Sequence, residues 1–275
     1  TGPMRASVDL RTISMTAAPN PHHQTTVRTL RLHPGGDVFV QARILTEGLA
    51  DGIISIPPAL RPELSASDRV HLKTYDLHSW WFIALNTHRG ALRDRRVREA
   101  LDQSIDRTLL RDLTIGHDAT DPTPPCEFIS GPFLPSSPYY NRAIPASPSA
   151  DTAQVDSLMT QAGARRVAGL WEVDGQPITL DIGLHSPLDA EARDILNQVG
   201  NQVLQAGFQR RVSRIASDVW STDAVTGNLI DTHDLLIGKW SFGPVEDVED
   251  LFHTRDGEGR GALNLFDYSN PEVDA

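Results

Sequence analysis

The sequence has almost no cysteine and no long apolar run, and each shortage excludes a class of protein. Its 275 residues include a single cysteine, Cys126, so neither a disulfide within the chain nor a cluster of thiolate metal ligands can form. No apolar stretch approaches the roughly 20 residues that a membrane-spanning helix needs. The sequence therefore predicts neither a disulfide scaffold nor a helical membrane protein.

The motifs of the common enzyme classes are also missing. There is no Gly-x-Ser-x-Gly elbow, no phosphate-binding P-loop and no glycine fingerprint for a dinucleotide. The ten histidines include no His-x-x-x-His pair, which is the usual helical spacing of a zinc site. We therefore expect a protein that is not an enzyme and that uses neither a metal nor a cofactor.

Basic residues are the minority of the charged residues. The chain has 25 of them against 36 acidic residues, which gives a net charge of −11. This balance disfavours nucleic acid and anionic membrane surfaces as partners, because both are negatively charged. An apolar content of 39% and a charged content of 22% are typical of a soluble globular protein.

Helical and strand patterns alternate along the chain, which predicts an α/β fold with a mixed sheet and flanking helices. Strands are predicted over residues 5–15, 27–32, 53–56, 70–72, 80–85, 178–184, 212–215 and 235–240. Helices are predicted over residues 38–49, 94–112, 151–162 and 189–206. Asp37 is the predicted N-cap of the first helix, and Asp174-Gly175 predicts a type I′ hairpin turn.

A proline-rich stretch interrupts this alternation. Residues 117–150 contain eight prolines, which preclude a regular helix or a central strand. The stretch also carries large apolar side chains such as Phe133 and Tyr139, unlike a flexible linker. We expect it to be ordered and to pack along the domain.

The most specific segment is residues 81–107. An apolar run ends in Asn86-Thr87, a short turn follows, and a basic amphipathic helix closes on Ile105-Asp106-Arg107. The segment resembles the F-N-T … D-x-R-V-R-x-A-L … A-I-D-R signature of the family 5 extracellular solute-binding proteins. Members of that family are the peptide- and nickel-capturing receptors of bacterial ABC importers.

Shorter motifs in the family's order surround this segment. They lie at residues 1–3, 20–23, 45–51, 132–141, 158–163 and 268–274. The resemblance thus covers essentially the whole chain. It implies that residues 1–275 are the second, C-terminal ligand-binding lobe of a type II periplasmic-binding-protein-like fold, and that the first lobe and a C-terminal segment belong to a longer protein.

The resemblance also implies where a ligand would bind. In peptide-binding relatives the strand end at 240–243 reads Trp-x-x-Asp, and the Asp holds the α-ammonium group of the peptide. This chain has Trp240, Ser241, Phe242 and Gly243 there, and we predict that these four residues line the ligand site. Because Gly243 has no carboxylate, the usual peptide contact is in doubt.

Four other residues have both a functional and a structural interpretation. Glu246 or Asp247 could replace the missing carboxylate, or belong to a solvated acidic stretch. Trp220 has the spacing of a second aromatic residue of the ligand site, but could equally lie in the core. Asn86 is a predicted ligand contact at the end of a strand, where a turn residue is the alternative.

Three functions are consistent with these patterns. The first is the substrate-binding component of an ABC importer, which captures oligopeptides or a related small solute by hinged closure of two lobes. The second is a receptor of the same family for nickel or a metal chelate. The third is the ligand-sensing domain of a transcriptional regulator. For the importer receptor we expect a monomer that delivers to permease subunits, outside the cytoplasm, in the periplasm or lipid-anchored at the cell surface.

Overall fold

The computed structural model describes residues 4–8, 12–18, 26–34, 36–54, 56, 60–73, 77–114, 126–146, 148–185, 190–227, 229–242, 246–256 and 260–274. The chain divides into a first unit, Thr1–Thr74, and a second unit, Tyr75–Ala275. The predicted assignment of both to one lobe of a longer protein stays a prediction.

The first unit is a three-stranded antiparallel meander followed by two helices. Its elements are β1 (Met4–Val8), β2 (Ile13–Ala17), β3 (Thr29–Leu32), α1 (Val38–Thr46) and α2 (Arg61–Ser65). The single strand predicted over residues 5–15 is wrong, since β1 and β2 are separate strands that pair with each other. The predicted N-cap is confirmed, because Asp37 accepts a hydrogen bond from the backbone N–H of Phe39 at 2.9 Å.

The core of the first unit is small. Ala42, Leu60 and Leu64 are buried in it. Leu49, at the end of the helix predicted over residues 38–49, is 73% exposed, and Ile54 in the strand predicted over residues 53–56 is 79% exposed. Gly48 has a φ of +74° directly after α1, and a residue in this left-handed conformation ends a helix. Leu49 therefore lies beyond the end of α1 and does not continue its apolar face.

The second unit contains a four-stranded mixed sheet, a small hairpin sheet and most of the helices. Its strands are β4 (Ser79–Leu85), β5 (Arg165–Val167), β6 (Leu170–Val173), β7 (Gln176–Pro177), β8 (Thr179–His185), β9 (Gln209–Ile215) and β10 (Leu235–Ser241). Its helices are α3 (Arg95–Ser104), α4 (Arg107–Thr114), α5 (Thr152–Gln161), α6 (Ala190–Gln205), α7 (Ser217–Thr226), α8 (Leu229–Thr232), α9 (Glu249–Phe252) and α10 (Pro271–Asp274), with a 3₁₀ turn at Gly90–Arg93.

The large sheet has the order β4-β10-β8-β9. Strand β10 is antiparallel to β4 and parallel to β8, and β8 is parallel to β9. The prediction of an α/β fold with a mixed sheet and flanking helices is confirmed. Sheet β5-β6-β7 is antiparallel, and its predicted type I′ turn is confirmed by positive φ values of 53° at Asp174 and 73° at Gly175.

Both faces of the large sheet are covered, so neighbouring residues of one strand enter different cores. Leu235 and Ile237 of β10 pack with α3, α5 and α6 through residues such as Val199. Leu236, between them, packs on the other face with Leu229 and other apolar residues. This burial explains why β4 and β10 have continuous apolar runs rather than an alternating pattern.

The helix predicted over residues 94–112 is wrong as a single element, because it breaks into α3 and α4. Ile105 adopts an extended conformation at the break, and the Asp106 carboxylate accepts from the backbone N–H of Leu109 at 2.8 Å. The side chain of Gln202, on α6, bonds the backbone N–H of Asp106 at 2.6 Å and its carbonyl at 3.2 Å. Leu109 has the apolar i, i+4 spacing that continues from Val97 and Leu101. The break turns it away from them, and it is 45% exposed.

Candidate functional site

The strand directions bring four chain positions to one edge of the large sheet. Strands β8, β9 and β10 end there, at His185, Ile215 and Ser241. Strand β4 begins there, with Ser79 opposite Ser241. Ligands of open α/β sheets bind outside the carboxyl ends of the strands. We call this the carboxyl edge, and it is the candidate site.

Aromatic side chains cover one face of the sheet at the carboxyl edge. Trp80 of β4 lies directly opposite Trp240 of β10, so the two side chains project from the same face. The ring centroid of Phe82 is 5.2 Å from that of Trp80. Phe82 is in turn opposite Gly238, where an added Cβ would be 2.5 Å from the Cζ atom of Phe82. The missing side chain of Gly238 leaves room for this ring.

The two tryptophans have unpaired polar atoms. The Nε1 atoms of Trp80 and Trp240 are both buried, and neither has a hydrogen-bond acceptor among the residues that the structure describes. A buried donor without an acceptor destabilises the folded state by about 1–3 kcal/mol. Such groups are rare in native proteins and point to an acceptor supplied from outside the chain, such as a ligand or an ordered water.

The predicted residues after Trp240 continue this aromatic surface. Ser241 is exposed at the end of β10. Phe242 is half-buried, donates its backbone N–H to the carbonyl of His78 at 2.8 Å, and stacks on Phe133 with ring centroids 6.3 Å apart. Phe133 belongs to the proline-rich stretch, whose described residues form neither helix nor strand, as predicted. Gly243 lies outside the described residues.

The other two predicted contact residues have different surroundings. Trp220 is on α7, which follows the carboxyl end of β9, and it packs on the same core cluster as Phe82, so its predicted role stays a prediction. Asn86 is fully buried and lies at the opposite end of β4. Its amide donates to the carbonyls of Ile230 and His233 at 2.8 and 2.9 Å, and its Oδ1 accepts from the backbone N–H of His88 at 3.0 Å. These bonds occupy the Asn86 side chain within the fold.

The opposite end of the sheet, which we call the amino edge, carries an ion-pair network that sequence reasoning missed. Asp181 accepts from Arg89 at 3.0 Å and from Arg211 at 2.6 and 2.8 Å. Asp234 accepts from the backbone N–H of Asp181 at 2.8 Å. These residues belong to no motif and are far apart in sequence, so only the strand order brings them together.

The electrostatics of the amino edge suit a structural role. Hydrogen bonds from Arg211 lower the pKa of Asp181, so this carboxylate is charged in the fold. Burial raises the pKa of Asp234 and lowers the pKa of His233. A buried carboxylate stays ionised only if charged or hydrogen-bonding partners offset its loss of water. The arginines and backbone N–H groups are those partners here.

A groove of about 480 Å³ lies next to the carboxyl edge. It is lined by Phe133 and Tyr139 from the proline-rich stretch and by Glu246, Asp247 and Phe252. Glu246 and Asp247, the two predicted substitutes for the missing carboxylate, have different hydrogen-bond partners. Asp247 accepts from the backbone N–H at position 249 at 2.8 Å, whereas the Oε2 atom of Glu246 is buried without a donor.

Two further features bear on the class of protein. Across the described residues, no three side chains of His, Cys, Asp or Glu come together in a way that could hold a metal ion. None of the helices in the part of the chain that the structure describes is long and apolar enough to cross a membrane.

The sequence matches one family model over most of its length. The model of the bacterial extracellular solute-binding proteins, family 5 Middle, matches residues 16–261. No curated protein sequence is significantly similar to the chain.

Solved structures with the same architecture include receptors for different solutes. The oligopeptide-binding protein AppA from Bacillus subtilis, in complex with a nonapeptide, is 18% identical with a TM-score of 0.73, over 99% of this chain and 53% of that chain. NikZ from Campylobacter jejuni, in complex with Ni(L-His), is 17% identical with a TM-score of 0.72, over 100% and 53%. The periplasmic EDTA-binding protein EppA is 17% identical with a TM-score of 0.75, over 99% and 51%.

These similarities establish the fold, which is the periplasmic-binding-protein architecture that the sequence motifs implied. At such low identity they do not establish a ligand. The chain spans about half the length of these structures.

Proposed function

The chain belongs to the bacterial extracellular solute-binding proteins of family 5, and we propose that it forms one ligand-binding part of a receptor for an ABC importer. The receptor would capture oligopeptides or a related small solute by hinged closure of two lobes, as solute receptors of this architecture do. It would act as a monomer outside the cytoplasm and deliver its solute to permease subunits.

The observation that carries the proposal is the pair of unpaired indole N–H groups at the carboxyl edge. Trp80 and Trp240 each present a donor that no described residue satisfies. Peptide carbonyls and carboxylates are acceptors, so a peptide-like solute whose binding moves the groups that cover these rings would satisfy both donors. The rings of Phe82 and Phe242 add the apolar surface that solute sites use to exclude water.

A nickel or metal-chelate receptor is the second candidate. It is favoured by Gly243, which stands where peptide receptors of the family have the carboxylate that holds the peptide's ammonium group. A chelate can be held through the carboxylate oxygens of its organic component, which the same indole donors can bind. The third candidate, a sensor domain of a transcriptional regulator, predicts a DNA-binding helix-turn-helix elsewhere in the full-length protein.

Native mass spectrometry separates these candidates. A protein that contains this chain and a first lobe would be incubated with a pool of short peptides, or with nickel and histidine, and the retained solute identified. We expect retention of peptides, and loss of retention when Trp80 and Trp240 are both changed to Phe. Retention of the nickel complex alone would support the second candidate, and retention of neither class would contradict both. The chain alone is expected to bind weakly, because one lobe cannot desolvate a ligand on all sides.

A further inference from the structure

A serine and a histidine of the second unit form a hydrogen-bonded pair that the proposed function does not use. Ser213 lies on β9, the last strand in the order of the large sheet, and His233 directly follows α8. The Oγ atom of Ser213 is 3.1 Å from the Nε2 atom of His233. Ser213 is exposed and His233 is half-buried, so a molecule in solution can reach the hydroxyl while the fold holds the ring.

A second hydroxyl orients the imidazole ring of His233. The Nδ1 atom is 2.9 Å from the Oγ1 atom of Thr232, and this hydroxyl donates to the carbonyl of Leu229 at 3.4 Å. Because that bond uses the hydroxyl proton, we assign the ring proton to Nδ1, and the Nε2 atom then accepts from Ser213. A nucleophile bonded to a base that a third group orients is the arrangement that activates a serine.

The missing side chain of Gly183 leaves the space that the imidazole ring occupies. Gly183 of β8 is the partner of Ser213 in the parallel register. An added Cβ at Gly183 would be 2.6 Å from the Cδ2 atom of His233. A glycine inside a strand is typical of a close approach by another group, and here it lets the ring lie against the sheet beside the serine.

The charges around His233 suit a base that is neutral at rest and takes up a proton. Burial lowers the pKa of His233, and Arg89 acts in the same direction, so the ring is neutral at neutral pH. The carboxylates of Asp181, Asp223 and Asp234 act in the opposite direction. They therefore stabilise the imidazolium that forms when the ring takes the serine proton.

A positive charge lies on the same face of β9. Arg211 is two residues before Ser213, so the two side chains project from the same side of the sheet. Its guanidinium group donates to Asp181, yet the side chain is 70% exposed. A cation near the nucleophile favours the negative charge that develops on a carbonyl oxygen under attack.

We propose that Ser213 and His233 are a nucleophile and its general base, and that they hydrolyse activated carboxylic esters, an activity separate from solute capture. The Ser213 oxygen bonds to the ester carbonyl carbon while its proton passes to Nε2 of His233. The bond to the alcohol oxygen then breaks, and the leaving alcohol takes that proton. Water repeats both steps on the acyl-serine, which releases the acid and restores the hydroxyl.

The pair belongs to no sequence motif, because Ser213 and His233 are 20 residues apart on different elements. The expectation that the protein is not an enzyme followed from missing motifs, and it does not cover an arrangement that only the fold assembles.

The probe is a fluorophosphonate, whose phosphorus bonds to an activated serine oxygen with loss of fluoride. The whole chain would be incubated with it, and the labelled residues identified by peptide mass spectrometry. We expect Ser213 to react at least tenfold faster than any other serine, since a positioned general base contributes about 10²–10⁴ to such rates. The rate should rise as the pH passes through the folded pKa of His233, which lies below its ordinary value of 6.5. Release of p-nitrophenolate from p-nitrophenyl acetate measures the full cycle.

Three substitutions locate the activity. Ser213→Ala should abolish ester turnover above the background rate. His233→Asn keeps the nucleophile and should slow the labelling of Ser213 about tenfold or more, with loss of its pH dependence. Ser157→Ala is the control, because Ser157 is also exposed but accepts from Gln161 at 3.0 Å, and it should leave both rates unchanged. Circular dichroism checks that the variants fold, and Ser213→Ala, at an exposed position, keeps the test valid if the histidine variant does not.

Three results would overturn the proposal: similar labelling rates at several serines, full ester turnover in Ser213→Ala, or labelling of Ser213 that does not change with pH. Each would show that the pair is a structural hydrogen bond only. The proposed function depends on Trp80 and Trp240, which this test leaves unchanged, so retention of a solute by the longer protein is decided separately.

Discussion

The two ends of the large sheet differ in how their polar groups are satisfied. At the amino edge, Asn86, Asp181 and Asp234 bond to side chains and backbone groups of the same unit. At the carboxyl edge, the indole N–H groups of Trp80 and Trp240 are buried, and no described residue accepts from them. Both edges are built from the same strands, so the difference lies in the side chains rather than in the fold.

This contrast indicates different roles for the two edges, one in the stability of the fold and the other in ligand binding. The network at the amino edge has many bonds, although the Nη1 atom of Arg89 is also buried without a partner among the described residues. Loss of this network would leave several buried groups unpaired at once. An unpaired donor has the opposite effect. It destabilises the protein without a ligand, and the hydrogen bond that it makes to a ligand's acceptor stabilises the complex. The amino edge therefore stabilises the sheet, and the carboxyl edge is our proposed ligand site.

Asn86→Ala tests the amino edge with the largest expected effect. The substitution removes the partners of two carbonyls and one backbone N–H, which should lower the free energy of unfolding by about 3–5 kcal/mol. Urea denaturation measures this loss. Asn197→Ala, at an exposed position of α6, is the control and should change the stability by less than about 0.5 kcal/mol. Equal losses would mean that the network contributes little.

Most of the fold was predictable from local patterns. The period-2 run from Ile178 to Leu184 and the Asp174-Gly175 turn gave correct elements, because burial on a sheet and a positive φ each select particular residue types. The break between α3 and α4 was not predictable, since it depends on Gln202, which is 96 residues from Asp106. A single-helix pattern was present, and a tertiary contact overrode it.

Less of the candidate site was predictable. The resemblance pointed to residues 240–243, and the structure places Trp240, Ser241 and Phe242 at the carboxyl edge. Trp80 lies in a continuous apolar run, which is typical of a core strand, and nothing in the sequence indicates that its N–H is unpaired. Asp181 and Arg89 are 92 residues apart, so their pairing also follows only from the strand order.

Gly238→Ala tests the aromatic packing that holds the carboxyl edge in place. A Cβ atom there would be 2.5 Å from Phe82, so the ring must move, at a cost of about 1–3 kcal/mol. Gly131→Ala is the control, because no atom lies within 4 Å of its added Cβ. Thermal unfolding of both variants gives the comparison. An unchanged melting temperature for Gly238→Ala would show that the Phe82 ring does not need the space left by the missing side chain of Gly238.

Asp181→Asn tests the amino edge through its pH dependence. Removal of one charge from the bonds to Arg89 and Arg211 should cost about 1–2 kcal/mol at neutral pH. The folded pKa of Asp181 is lowered, so its stabilisation is complete above the unfolded value of about 4 and is lost as the pH falls through the folded value.

The variant should therefore lose less stability on acidification than the unchanged protein does. Glu99→Gln is the control, since Glu99 is 43% exposed and pairs with the exposed Arg95, and such pairs contribute about 0–1 kcal/mol. If the free energy of unfolding falls equally with pH for the Asp181 variant and the unchanged protein, the ionised Asp181 carboxylate does not stabilise the fold.

Trp240→Phe has the smallest expected effect on stability and tests the unpaired donor at the carboxyl edge. The change removes an unpaired donor along with some packing area, and these effects oppose each other, so the free energy of unfolding should change by less than about 1 kcal/mol. Trp171→Phe is the matched control: Trp171 is 3% exposed, and its Nε1 donates to the carbonyl of Ala206 at 2.9 Å. The same substitution there breaks a satisfied bond as well, and should cost about 2–3 kcal/mol. Urea denaturation of both variants gives the comparison, and equal losses would show that the Trp240 donor is satisfied in solution.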